Sequence, residues 1–245
     1  MSAVVLLHGW GSGAAVFNGL ARQLAARGDT SALDLPGYGA FDTRAACDIE
    51  EIAERIAASA PRRCCVVGWS LGALAALAWA RSRPEQVQRL ALIAATPCFV
   101  EREDWSVAME RTVFDAFAQT LSHDRAGTLE RFVSLQAQGD SDARATMHAL
   151  RAALRAGAAP GIEVLEHGLR ILRETDLRAH LRAVEQPALI VHGDRDRLVP
   201  RAAAEHLARA LPHAVLAVIP GAAHAPFVSQ PERVGGLIRE FFDER

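Results

Sequence analysis

The sequence predicts an α/β fold: a doubly wound, mostly parallel sheet of about six strands with a helical insertion. Three observations predict it. Short apolar runs alternate with helical patterns along most of the 245 residues. Most of those runs are continuously apolar rather than alternating in and out, as strands covered on both faces require. The alternation then stops between about 99 and 181, where helical periodicity continues without a convincing strand.

The elements follow in order. Ala3 to Leu7 reads as the first strand and Ala14 to Arg27 as the first helix. Thr30 to Asp34 is the second strand, and Ala45 to Ala58 the second helix. Arg63 to Val67 is the third strand, and an Ala/Leu-rich helix over Leu71 to Arg81 follows almost at once. Gln88 to Ala94 is the fourth strand. In the insertion, Phe114, Phe117 and Leu121 share one helix face. Leu129, Phe132, Val133 and Gln136 share another, as do Met147, Leu150 and Leu154. Gly157-Ala158-Ala159-Pro160-Gly161 breaks the pattern before a helix from about Ile162 to Leu172. Ala188 to His192 and Val215 to Ile219 are the last strands. Helices follow them over Arg201 to Ala210 and Pro231 to Asp243, and Pro231 suits a first helical turn. The chain thus divides into a core over 1–98 and 182–245 and a helical lid over 99–181.

Half the residues are apolar, enough for a substantial core. A net charge of -2 supplies no bulk attraction to nucleic acid or membranes. All 27 basic residues are Arg, which excludes a catalytic lysine and Schiff-base chemistry. The cysteines are Cys47, Cys64, Cys65 and Cys98. They form no C-x-x-C or Cys/His ligand spacing, so neither a zinc site nor a disulfide framework is expected. Cys64 and Cys65, adjacent on a strand, should point to opposite faces. The chain opens without a signal-peptide pattern and has no apolar run long enough to span a bilayer. The expectation is a reduced, cytoplasmic monomer.

The most specific motif is Gly68-Trp69-Ser70-Leu71-Gly72, set between an apolar strand and a helix. That is the G-x-S-x-G nucleophile elbow, in which a sharp turn holds the serine hydroxyl clear of the backbone. Side chains in place of the two glycines would collide with the neighbouring strand and helix. Five loosely defined positions match often by chance, but the strand before and the helix after are the context that the motif requires.

A serine nucleophile needs a base, and the base needs a carboxylate to orient it. With this elbow the chain order is Ser, then Asp or Glu, then His, each after a later strand. The loop after the fifth strand, Gly193-Asp194-Arg195-Asp196-Arg197-Leu198-Val199-Pro200, offers two acids. Asp196, deeper in the loop, is the choice, and Asp194 suits a turn. The loop after the sixth strand, Gly221-Ala222-Ala223-His224-Ala225-Pro226-Phe227, holds His224. The other histidines, His192 among them, read as structural or surface residues. The oxyanion of the tetrahedral intermediate needs two N–H donors. The Leu71 amide is one candidate. The Trp10 amide, in His8-Gly9-Trp10-Gly11 after the first strand, is the other. The Trp10 indole also stands to wall the acyl pocket. His8 should anchor that loop by hydrogen bonds. Asp34-Leu35-Pro36-Gly37-Tyr38-Gly39 reads as a structural turn framing the site.

Together these residues resemble the α/β-hydrolase superfamily over nearly the whole chain. Within it, several segments are similar to the pimeloyl-[acyl-carrier protein] methyl ester esterases of biotin synthesis. They are Leu6-Leu7-His8-Gly9-Trp10-Gly11, the Asp34 to Gly39 turn, the Trp-Ser-Leu elbow, Pro97-Cys98-Phe99, Glu130-Arg131-Phe132 with Leu135-Gln136, Leu198-Val199-Pro200-Arg201 and Ala222 to Phe227. The resemblance implies a serine carboxylesterase acting without metal or cofactor. Ser70 would be its nucleophile, His224 its base and Asp196 the orienting acid. It implies that Trp10, Ser70, Leu71, the segment Phe132-Val133-Ser134-Leu135-Gln136 and His224 contact substrate. It also implies that lid arginines meet an acidic acyl-carrier protein. Arg131 and Arg144 fall at such places, and Arg125, Arg151 or Arg155 stand in where Gly127 and His148 depart from the pattern. A solvated helix face is the plainer account of those arginines. Family members usually carry one or two antiparallel strands before the first strand here. A shorter, all-parallel sheet in the order 2-1-3-4-5-6 is therefore expected, or else a start assigned too far downstream.

Fold does not fix substrate. A thioesterase, another small-ester, lactone or C–C-bond hydrolase, and a ligand-binding protein of the same fold are the alternatives. Epoxide and haloalkane hydrolases use Asp at the elbow, where this chain has Ser70.

Overall fold

The computed structural model describes residues 2–39, 48–157 and 159–244. Among them, six strands form one sheet: β1 (Ala3–Leu7), β2 (Thr30–Leu33), β3 (Cys64–Trp69), β4 (Val87–Ile93), β5 (Ala188–Gly193) and β6 (Ala214–Ile219). Every pairing is parallel, and the order is β2-β1-β3-β4-β5-β6, as expected. The reason for the continuous apolar runs is visible in the packing. Val5 and Leu7, Cys64 and Val66, and Ile190 face one core. Val4 and Leu6, Cys65 and Val67, and Leu189 face the other. Successive side chains of a strand point to opposite faces, so a sheet covered on both sides needs both sets apolar. Cys64 and Cys65 accordingly fall in different cores. Cys47 lies outside the described residues.

The core helices are α1 (Asn18–Leu24), α2 (Ile49–Ser59) and α3 (Leu71–Ser82). The helix expected over Ala14 to Arg27 is shorter, with 3₁₀ turns at Ala14–Phe17 and Ala25–Arg27 flanking α1. No side chain caps its start, and Gly19 inside it lowers helix propensity. The second helix begins at Ile49 because the Asp48 carboxylate accepts a hydrogen bond from the Glu51 N–H at 2.8 Å. Residues 45–47 of the expected helix lie outside the described residues. Every residue of α3 from Leu71 to Ala80 is buried, as its apolar circumference demands. The third strand runs two residues further than read, through Trp69, so the turn is confined to Ser70.

Among the described residues, four α-helices lie between β4 and β5, α4 (Arg111–Leu121), α5 (Arg125–Ala137), α6 (Ala143–Ala156) and α7 (Ile162–Glu174), followed by a 3₁₀ helix over Arg178–Ala183. Strand-like pairing among the described residues of this segment is limited to isolated bridges. The remaining helices, α8 (Arg201–Ala210), α9 (Pro226–Ser229) and α10 (Pro231–Asp243), follow β5 and β6.

Candidate active site

The elbow builds the site. Ser70 has φ 56° and ψ -118°, a conformation costly for a residue with a side chain. The two glycines are needed on steric grounds. A Cβ on Gly68 would stand 2.5 Å from the Gly72 carbonyl oxygen, and one on Gly72 would stand 2.2 Å from that of Leu7. β1 and α3 thus close on the turn from both sides, and Ser70 stays 6% exposed between them.

Asp196 and His224 meet from two loops. The His224 Nδ1–H donates to Asp196 Oδ2 at 2.8 Å, with both side chains essentially buried. The other carboxylate oxygen of Asp196 accepts from the Leu198 and Val199 amides at 2.9 and 3.1 Å. Burial opposes ionisation of Asp196, but the His224 ring, with His192 and the Val199 N–H, outweighs it and holds its carboxyl below the usual range. Asp194 plays a different part, accepting from the Gly221 N–H at 2.7 Å and so bracing the two loops. His224 Nε2 is buried without a hydrogen-bond partner among the described residues. That is the nitrogen from which a base works once Nδ1 is held by a carboxylate. Trp69, beside Ser70, fixes the histidine backbone by donating its indole N–H to the His224 carbonyl at 2.9 Å.

Gly9 packs against the nucleophile, where a Cβ would lie 3.2 Å from Ser70 Cβ. That brings the His8-Gly9-Trp10-Gly11 loop alongside the elbow. The Leu71 N–H, first in α3, has no intrahelical acceptor. Among the described residues, neither it nor the Trp10 N–H donates to a backbone acceptor. The Trp10 indole donates to the Leu165 carbonyl at 2.8 Å and packs edge-on against Phe132. The Tyr38 hydroxyl accepts from the Gly11 N–H at 3.2 Å, and the Asp34 carboxylate accepts from the Ala14 N–H at 2.8 Å.

His8 anchors this loop. Its Nδ1–H donates to the Gly9 carbonyl at 2.8 Å, and its Nε2 accepts from the Leu35 N–H at 3.0 Å. Burial lowers its pKa to about 4, against smaller raising effects of Gly9 and Asp34. The unfolded chain therefore binds this proton near pH 6.5 and the folded chain only near pH 4. Stability from His8 is complete above pH 6.5 and is lost as pH falls through that window. Between pH 7 and 4.5 the loss is about 2.5 kcal/mol. Urea titrations at the two pH values should show it, and the difference should shrink by about that amount in His8→Gln.

A small apolar cavity of about 50 Å³ opens beside Trp10, lined by Phe114, Phe117, Phe132, Leu135 and Leu169 among others. Phe132 and Leu135 thus face it. Val133 instead packs into the core on the far side of the sheet, and the Ser134 hydroxyl donates to the Glu130 carbonyl on its own helix. Gln136 is buried, and its carbonyl accepts from the His224 N–H at 3.1 Å. Consecutive residues of a helix point about 100° apart, so five in a row cannot line one pocket. The α4 and α7 contributors show only amphipathic spacing in the sequence.

The five arginines sit on α5 and α6, which pack together. Arg125 donates to the Pro160 carbonyl at 3.4 Å and Arg131 to the Thr128 hydroxyl at 3.4 Å. Arg151 is engaged by Glu130 at 2.7 Å. Arg144 and Arg155 are exposed. Among the described residues no His/Cys/Asp/Glu cluster could hold a metal ion. No described helix is long and apolar enough to cross a membrane.

A model of the alpha/beta hydrolase family matches residues 4–236. The chain belongs to that family. It is 40% identical, over 94% of its length and 91% of the relative's, to a pimeloyl-[acyl-carrier protein] methyl ester esterase of Nitrosomonas europaea. A protein of the same name from Xanthomonas campestris pv. campestris is 42% identical, over 98% of this chain and 94% of its own. Among solved structures, an esterase from Exiguobacterium antarcticum superposes with a TM-score of 0.88 at 22% identity, covering 100% of this chain and 92% of that one. At that identity the likeness concerns the fold alone. This hydrolase is a carboxylic ester hydrolase, as its family and relatives indicate.

Proposed function

We propose that this hydrolase cleaves the methyl ester of pimeloyl-[acyl-carrier protein], giving pimeloyl-[acyl-carrier protein] and methanol in biotin synthesis. The observation that carries the reading is the buried Asp196–His224 pair set beside a strained Ser70, in a chain whose relatives of that name match it nearly end to end.

In this mechanism His224 Nε2 takes the Ser70 hydroxyl proton as Oγ attacks the ester carbonyl. The Trp10 and Leu71 amides hold the resulting oxyanion. Collapse breaks the carbonyl–methoxy bond, and the imidazolium returns the proton to departing methanol. Water, deprotonated by the same nitrogen, then attacks the acyl-enzyme and releases the carboxylate and free Ser70. Asp196 keeps Nδ1 protonated and stabilises the imidazolium. Trp10, Phe132 and Leu135 offer the acyl methylenes an apolar wall, which supports an aliphatic substrate. No metal or organic cofactor takes part.

The helical segment 99–181 serves as the lid over the 1–98 and 182–245 core in this reading, and the enzyme is a cytoplasmic monomer. Arg131, Arg144 and Arg155, with Arg125, form the basic face toward the acidic carrier, and Arg151 contributes less because Glu130 already pairs with it. Arg131→Glu with Arg144→Glu should raise KM for the carrier-bound ester about tenfold and leave turnover of a free methyl ester unchanged. Equal effects on both substrates would remove the docking role.

Mass spectrometry of pimeloyl-carrier methyl ester after incubation tests the function. Loss of one methyl group with the thioester intact is expected. Release of the acyl group from the carrier would make the chain a thioesterase. Survival of the ester alongside cleavage of simple esters would leave a hydrolase of other substrates.

A further inference from the structure

The turn joining α5 to α6 carries a buried carboxylate that the proposed chemistry does not use. Asp140 is 8% exposed. One of its oxygens accepts from the Asp142 N–H within the turn at 3.0 Å. The other leaves the turn altogether and accepts from the Ala223 N–H at 3.1 Å, one residue before His224. Two more bonds flank it. The His224 N–H donates to the Gln136 carbonyl at 3.1 Å, and the Ser141 N–H donates to the Gly221 carbonyl at 2.7 Å. Gly221, Ala223 and His224 are thus all tied to residues 136–141.

The same turn also reaches the loop that bears Asp196. Arg195 donates through Nη1 to the Gly139 carbonyl at 3.3 Å. Gly139 has φ 96°, and a Cβ there would press to 3.1 Å from the Arg195 carbonyl oxygen. The histidine loop therefore rests on the inserted helices as well as on the sheet, where Trp69 holds the His224 carbonyl. A base must be held to fractions of an ångström for proton transfer, so a slack backbone costs rate rather than substrate affinity.

We propose that Asp140 is a positioning residue, a latch that fixes His224 in register with Asp196 only while the α5–α6 turn is seated on the histidine loop. The carboxylate supplies two acceptor oxygens, one for each of two backbone N–H groups; Asn keeps one, enough for the Ala223 N–H that ties the histidine loop, and Ala keeps neither. Removing the side chain leaves the Ala223 N–H buried without its acceptor and frees the loop. The proposal rests on the Ser70–His224–Asp196 reading, and the experiment separates the two.

Turnover of p-nitrophenyl acetate is measured for the full-length chain as kcat per active site. Sites are counted by stoichiometric labelling with a fluorophosphonate, so unfolded protein does not enter the rate. Asp140→Ala should lower kcat about tenfold or more with KM within twofold of wild type. Asp140→Asn, which retains an acceptor for the Ala223 N–H, should recover most of the loss. Asp142→Ala is the structural control. It removes the cap that accepts from the Ala145 N–H at 3.1 Å and so weakens α6 without touching the histidine loop. It should lower the melting temperature and leave kcat per site unchanged. His224→Ala should be inactive. If His224→Ala is inactive and Asp140→Ala turns over like wild type per site, the latch is wrong and the triad stands. An Asp142→Ala defect in kcat as large as that of Asp140→Ala would reduce Asp140 to a fold element and overturn the proposal. If His224→Ala retains wild-type turnover, both the triad and the latch fall.

Discussion

Ser70→Ala is expected to lower kcat for ester hydrolysis by about 10⁵-fold or more, with the fold intact. The size follows from the mechanism: without Oγ there is no acyl-enzyme, and His224 and Asp196 have no partner to act through. What remains is the binding of substrate and the oxyanion donors, worth far less alone. The serine sits at φ 56°, a conformation that alanine shares at similar cost, so unfolding in urea should be nearly unchanged. Stopped assays with a short-chain ester give the rate, and fluorophosphonate labelling should vanish in parallel. Retention of even a tenth of wild-type turnover in the variant would mean that chemistry proceeds elsewhere.

Asp196→Asn should cost about 10⁴-fold in kcat, and Asp194→Asn less than threefold. The two acids lie two residues apart in one loop, yet they have different partners. Asp196 accepts from His224 Nδ1 at 2.8 Å, where an amide nitrogen would meet Nδ1 donor to donor and favour the wrong tautomer. The lost negative charge also leaves the imidazolium unstabilised at the moment it forms. Asp194 accepts a hydrogen bond from the Gly221 N–H, which the carbonyl oxygen of Asn can accept equally well. Steady-state kinetics of both variants on one ester decide between them. A large defect in Asp194→Asn with a mild one in Asp196→Asn would reverse the assignment of the orienting acid.

Much of this architecture was legible in the residues because its signals are local. The apolar run Val4 to Leu7 is a strand because both its faces are covered, and a run of that kind needs no alternation. Gly68 and Gly72 announce the elbow because only glycine tolerates backbone atoms within 2.5 Å of where a Cβ would sit. The N-cap of the second helix was legible too in principle, since Asp48 three residues before Glu51 is an N-cap pattern. His192 was less legible. It reads as one more structural or surface histidine, but its ring is buried 4.0 Å from Asp196, and burial lowers its pKa.

The sequence by itself determined the parallel strands, the elbow at Ser70, the loop that carries Asp194 and Asp196, and the loop that carries His224, while the order of the sheet was implied by the family resemblance. The strands and the elbow follow from apolar runs and turn glycines, which act over a few residues, and the two loops from the chain order that the elbow implies. Only the tertiary structure decided which acid faces His224, which residues of α5 turn toward the cavity, and that Asp140 holds the histidine loop. Each of those is a contact between segments far apart in the chain, such as Asp140 with Ala223. Their partners are chosen by how the helices seat on the sheet, and no pattern within either segment encodes the other's position.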